Sequence, residues 1–145
     1  MSANTFVAGA YGVLGAFFLT VGLVNLIGGL ASRSWDAVSG EIIESRVEYR
    51  WFGWNWTAEM RYRYTVEGLT YEGDAYGFGK RLWFASRRAA ERAVSMYPKG
   101  RIVRLLVSPL DRSVAVIEPG IGWRAVMMTL TGALVTALSA YSMLR

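Results

Sequence analysis

Hydrophobic and polar positions are distributed along this chain in three blocks. From Phe6 to Ala31 the run is almost wholly apolar, and residues 1–32 carry no charged side chain. Backbone amides in hydrocarbon must find partners within their own segment, so a run of this length predicts a spanning helix over 1–32. A cleaved signal peptide would need a basic leading region and a shorter apolar stretch; MSANT contains neither Lys nor Arg. A second run, from Ile121 to Leu144, is free of charge over 125–144 and predicts another span over 121–145. At about 1.5 Å per residue such a segment covers about 30 Å, the thickness of the hydrocarbon layer. Tyr11, Trp123 and Tyr141 fall near the span ends, where amphipathic rings favour the headgroup zone.

Both runs repeat small residues at four-residue spacing. Ala8, Gly12, Ala16 and Thr20 form one row; Thr129, Ala133 and Ala137, beside Gly132, Thr136 and Ala140, form another. Small side chains let helix backbones approach closely, so these rows predict a packing seam, either within a hairpin or in a homo-oligomer. Asn25, the one amide in the first run, is placed either to hydrogen-bond across such a seam or to lie at the membrane interface, and no site is assigned to it.

The middle block, 33–120, has a different period. Trp35 to Tyr49 alternates as a strand, with Ser39-Gly40 marking an expected bulge. Thr57, Glu59, Arg61, Arg63 and Thr65 point one way while Ala58, Met60, Tyr62, Tyr64 and Val66 point the other. Glu67-Gly68 predicts a two-residue turn into a third strand over Leu69–Tyr76. A helix is expected over Leu82–Met96, with Ala85, Ala89, Ala93 and Met96 on its inner face. Ile102–Val107 and Val114–Ile117 read as two further strands. The expected fold is thus an α+β membrane protein. Two transmembrane helices flank a small, curled, mostly antiparallel β-sheet domain with one helix.

Charge follows the same division. Every Lys and Arg lies at or after Arg33, and every acid lies between Asp36 and Glu118. Only Arg145 lies on the terminal side of the spans, whereas Arg33, Arg46, Arg50, Arg104, Arg112 and Arg124 flank them on the domain side. The positive-inside rule then predicts a cytoplasmic domain with both termini outside. The net charge of +5 fits topology and anionic lipid better than nucleic acid. With no Cys and no His, the chain offers no thiolate nucleophile, disulfide, Cys/His zinc site or imidazole acid–base group.

Few segments carry candidate chemistry. Trp51, Phe52, Trp54 and Trp56 crowd a hairpin tip that is ordinarily polar, pointing to a partner or membrane-interface contact; the competing reading is that these rings cover a small core. Arg87, Arg88 and Arg92 make a basic helix face suited to anionic lipid, or a solvated face partly balanced by Glu91. Gly77-Phe78-Gly79-Lys80 superficially suggests a phosphate loop. The pattern fails, because Asp74 stands at the first Gly and Arg81 follows the Lys. Pro98 separates Ser95 from Lys99, which opposes a Ser–Lys pair. Glu41, Glu59, Glu72 and Asp74 are interleaved with Arg, as cross-strand charge pairing requires. Asn55-Trp56-Thr57 matches a glycosylation acceptor, a pattern short enough to arise by chance. No metal, cofactor or small-molecule substrate is implied.

Three stretches resemble a known family. Trp35-Asp36-Ala37-Val38-Ser39-Gly40-Glu41-Ile42 resembles its opening motif. Tyr62-Arg63-Tyr64-Thr65-Val66-Glu67-Gly68-Leu69-Thr70-Tyr71-Glu72-Gly73 resembles its central hairpin. Tyr97-Pro98-Lys99-Gly100, Val107-Ser108-Pro109 and Ile117-Glu118-Pro119-Gly120 resemble its closing pattern. The chain is similar on these grounds to the domain of unknown function 3592 family, of small bacterial membrane proteins with a span–domain–span layout. The resemblance runs over essentially the whole chain and implies a bacterial inner-membrane location, but no activity or site.

The expected function is a non-enzymatic membrane-anchored interaction module or an accessory subunit of a membrane complex, with membrane lipid and a protein partner or second copy as its contacts. Two other expectations are an immunity protein that neutralises a toxin at the membrane and an enzyme using carboxylates or Ser–Lys chemistry. Orientation is testable with the variant Leu69→Cys. A membrane-impermeant maleimide should leave it unlabelled in intact cells, and labelling would reverse the assigned topology.

Overall fold

A computed structural model describes the backbone of residues 3–78, 80 and 82–144, and side chains from Val7 onward. Arg145, Gly79 and Arg81, on which the topology and phosphate-loop readings touch, lie outside the described residues. Each apolar run forms one helix, α1 over Ala3–Ala31 and α3 over Trp123–Leu144. Both are long and apolar enough to cross a membrane. In each, under a fifth of the most apolar stretch is buried (17% and 11%), unlike the core helix of a soluble domain. Val13, Phe17, Ile27, Leu130 and Leu134 face outward.

The two helices run antiparallel and nearly touch along glycines. A Cβ on Gly15 would lie 2.8 Å from the backbone nitrogen of Thr136, and one on Gly22 would lie 2.6 Å from that of Thr129. On the other side, a Cβ on Gly132 would meet the backbone nitrogen of Leu19 at 2.3 Å. The Ser139 hydroxyl donates across the seam to the Ala8 carbonyl at 2.5 Å. The seam follows seven-residue spacing, through Ala8, Gly15, Gly22 and Gly29 on α1 and Ala125, Gly132 and Ser139 on α3. This differs from the four-residue rows of the sequence. Gly12 and Thr129 do lie in the seam, but Ala16, Thr20, Ala133 and Ala137 are exposed on the outer surface. At 3.6 residues per turn, four residues overshoot a full turn by about 40° per step, whereas seven fall short of two turns by about 20° and stay in line. Asn25 does not reach across; its amide donates to Val21 O in its own helix at 2.8 Å.

Between the helices, β1 spans Asp36–Arg50, β2 Asn55–Val66, β3 Leu69–Gly73, β4 Trp83–Phe84, β5 Ile102–Val107 and β6 Ala115–Val116, with helix α2 at Arg87–Ser95. The sheet order is β3-β2-β1-β5-β6, with β4 on β2, and every pairing is antiparallel. The sheet is open rather than curled, since β3 and β6 do not join. It has one strand more than expected, because Trp83-Phe84 pairs with Trp56 and Thr57 instead of opening the helix. Helix α2 begins later, where the Ser86 side chain caps the Ala89 amide. Its buried face is accordingly Ala90 and Ala93, with Ala85 and Met96 exposed. The bulge sits between Ile42 and Glu44 rather than at Ser39-Gly40. Gly40 instead makes room for Leu105, whose Cδ1 would lie 2.3 Å from a Cβ there. The Glu67-Gly68 turn has both residues at positive φ (52° and 81°), as a primed hairpin turn demands.

The domain core is Ile42, Tyr62, Tyr64, Val103, Leu105, Val107 and Ala115. Two tyrosine hydroxyls pin loops to it. Tyr62 lies within reach of Ala115 O (2.7 Å) and Ala75 O (3.1 Å), and Tyr64 donates to Arg112 O (2.8 Å). Burial raises the Tyr62 phenol above its ordinary pKa, so it stays a donor at any physiological pH.

The seam makes an asymmetric prediction. Gly132→Leu should destabilise the detergent-solubilised protein by about 1–3 kcal/mol through overpacking, whereas Ala137→Leu should leave its thermal melting nearly unchanged. Equal effects of the two would contradict the seam.

Candidate functional site

The long β1–β2 hairpin turns at Trp51–Trp54. Gly53 (φ 105°) and Trp54 (φ 53°) both adopt left-handed backbone, a conformation that costs a residue with a Cβ about 1 kcal/mol and is held by the flanking pairing of Arg50 with Asn55. The turn throws its aromatic rings outward: Trp51, Phe52 and Trp54 are 73%, 79% and 84% exposed. Trp51 and Phe52 pack together, ring centroids 4.4 Å apart. Trp56 behaves differently. It folds back against Tyr49 at 4.9 Å, and the Arg87 guanidinium lies over its ring at 5.7 Å. The four sequence-predicted aromatics therefore divide into three presented at the tip and one that covers the sheet.

The hairpin has two unlike faces. Ala58, Met60 and Tyr62 are buried on the side that α2 covers. The opposite side carries the charged rows Glu44, Arg46, Glu48 and Arg50 on β1 and Thr57, Glu59, Arg61 and Arg63 on β2. Arg46 and Arg50 both reach Glu59, at 3.2 and 3.1 Å, while Arg61 and Arg63 reach Glu72 at 2.9 and 2.7 Å. Burial pushes the Glu59 carboxyl up, but hydrogen bonds from Glu48, Arg50 and Arg46 outweigh it and hold Glu59 below the usual range. Glu48, hydrogen-bonded to and repelled by Glu59, is raised above the usual carboxylate range.

This charged face overhangs the domain-side half of α1 and the first turns of α3. A cavity of about 730 Å³ separates them, with Val21 and Asn25 of α1 and Ala125 and Met128 of α3 below, and Arg46, Arg50, Glu59 and Arg61 above. The Arg124 guanidinium lies 3.8 Å from the centre of the Trp83 ring at its edge. The alternation of these charges was readable in the sequence, but nothing local told which way the face would turn.

The basic residues of α2 lie elsewhere. Helix α2 packs on β1, β2 and β4, across the sheet from the charged rows. Arg87 pairs with Glu91 at 2.7 Å, and Arg88 and Arg92 are exposed. Ser95 donates to Arg92 O at 2.7 Å, a helix-end bond that engages its hydroxyl proton. Among the described residues no three Asp or Glu side chains gather as a metal site would require.

The segment around Gly77 proves to be a clasp between domain and spans. Lys80 Nζ reaches Glu118 Oε1 and Pro119 O, both at 2.9 Å. The Gly122 amide donates to Phe78 O and the Gly120 amide to Ser32 Oγ, at 3.0 and 3.1 Å. The Phe78 ring packs edge-on to Trp35 and over Gly28, where any Cβ would lie 2.5 Å from the ring.

Fold and site together define a class, a small α+β sheet domain hung from a pair of apolar helices. A family model described as a domain of unknown function (DUF3592) matches residues 38–122, more than half of the chain, and the chain belongs to that family. The match ends before α3 and begins within β1, so both helices lie outside it. Neither a search of the curated proteins nor one of the solved structures returned a match.

The clasp predicts a pH dependence. Hydrogen bonding from Lys80 holds the Glu118 carboxyl below the usual range. Its stabilisation is therefore present above the ordinary carboxylate pKa of about 4.3 and lost as pH falls through the lower folded value. Glu118→Gln should lower the melting temperature at neutral pH and flatten the decline on acidification. An unchanged acid limb would remove Glu118 from the clasp.

Proposed function

We propose that this protein is a non-enzymatic, membrane-anchored interaction module, working as an accessory subunit of a membrane complex through the aromatic tip of its β1–β2 hairpin. The observation that carries this reading is the exposure of Trp51, Phe52 and Trp54 on one four-residue turn. Large rings left in water cost free energy unless another surface covers them, and Trp is the residue most enriched where binding energy concentrates. The left-handed Trp54 adds support, since the chain tolerates backbone strain to present that ring. The apolar helices supply the anchor, and the arginines at their domain-side ends favour a cytoplasmic-facing domain on a bacterial inner membrane.

Photo-crosslinking tests the reading. A benzophenone amino acid replacing Trp54 should, in native membranes, give an adduct of discrete mass with another membrane protein. The adduct should weaken on Trp51→Ser while the melting temperature holds. The identity of that protein then separates an accessory subunit from a toxin-neutralising role. Adducts with lipid alone, or a tip variant that unfolds the domain, would refute the reading.

A further inference from the structure

The cavity beneath the charged face has the chemistry of a binding site. Its described lining residues include Arg46, Arg50, Arg61, Lys80 and Arg124 against only two carboxylates, Glu59 and Asp74, so cations predominate. Arg46 and Arg50 share Glu59, and Lys80 is held by Glu118. Arg124 has no such partner among the described residues; its one contact of this kind is the Trp83 ring. A guanidinium stacked by its face keeps its edge N–H groups free for a planar or tetrahedral oxyanion.

Thr57 supplies independent support. It is 7% exposed, its hydroxyl has no hydrogen-bond partner among the described residues, and it lies on the same sheet face as Glu59 and Arg61, lining the cavity. Buried hydroxyls are seldom left unpaired, because the lost hydration is not recovered. The hydroxyl oxygen itself is closed off from the surface, so a ligand oxygen satisfies it once the Thr57 side chain turns toward the cavity it lines. The floor is apolar at Val21, Ala125 and Met128; Ala125 and Met128 stand in the first two turns of α3 beside Arg124, the first charge beyond the apolar run and so a marker of headgroup depth. Cationic walls over an apolar floor fit a molecule with an anionic head and a hydrocarbon tail.

We propose that this cavity binds the phosphate-bearing headgroup of an anionic amphiphile, a phospholipid of the surrounding bilayer. Arg124 and Arg50 meet the phosphate oxygens, Thr57 donates to one of them, and the acyl chains follow Val21 and Met128 along the helices. The site is distinct from the exposed arginines of α2 and does not depend on the aromatic tip.

Native mass spectrometry of the full chain, released from uncharged detergent micelles, tests the site. With phosphatidylglycerol present, one lipid should remain bound per chain in preference to phosphatidylcholine or an alkyl glycerol lacking phosphate. Arg124→Gln, Arg50→Gln and Thr57→Val should each weaken retention by about fivefold or more, a typical effect of losing one such contact. The double variant Arg88→Gln/Arg92→Gln should retain lipid unchanged. Melting temperatures without lipid identify any variant that misfolds, and the half-exposed Arg50 keeps the test decisive if Arg124→Gln does. Retention lost equally in the α2 double variant, or no preference for phosphatidylglycerol, would overturn the site. Saturation by inorganic phosphate with no gain from the lipid would overturn the amphiphile in favour of a soluble anion.

Discussion

Where α1 and α3 touch, backbone meets backbone. At Gly15, Gly22 and Gly132 a single added carbon would collide with the opposing chain, so the seam exists only because those positions lack side chains. In hydrocarbon there is no hydrophobic gain from pairing two apolar helices; close packing and interhelical hydrogen bonds such as Ser139 to Ala8 must supply the attraction. This contact continues upward to Gly29 against Gly120 and the buried Ser32 hydroxyl, which accepts from the Gly120 amide. Both ends of the domain are thereby fixed at one place. A sheet fastened at its two ends, and not hung from one flexible linker, has a defined face toward the membrane.

That face is the charged one. Surface ion pairs contribute little to stability one by one, and the Arg–Glu lattice of β1, β2 and β3 is largely solvent-exposed. Its value lies in position. The arginines stand beside the apolar helices, where the proposed lipid site needs them, and an open sheet leaves room beneath for a cavity that a closed barrel would fill. The proposed site gives the Thr57 hydroxyl, unpaired among the described residues, and the stacked Arg124 a common role.

Much of this was legible in the chain. Long charge-free runs have one stable state in lipid, and the strict alternation from Thr57 to Val66 leaves one strand register with a buried face. The Glu67-Gly68 turn was equally plain. What escaped depended on tertiary partners. The seven-residue seam was hidden because Gly and Ala at both spacings coexist in the same helices. Trp83-Phe84 lay next to a helical pattern and became a strand only because β2 offered an edge. Gly40 looked like a bulge until Leu105 filled the space beside it. The cavity could not be read at all, since Val21, Thr57 and Arg124 are far apart in sequence and meet only through the fold.

All of these relations require hydrocarbon around α1 and α3, whose outward leucines, valines and phenylalanines have no protein cover. Sedimentation velocity of the purified chain after complete detergent removal examines that requirement directly. The chain should aggregate in plain buffer and recover a single boundary when lipid nanodiscs are supplied. A stable monomeric boundary in buffer alone would mean that the helices are satisfied by water and protein, and would contradict the anchored architecture.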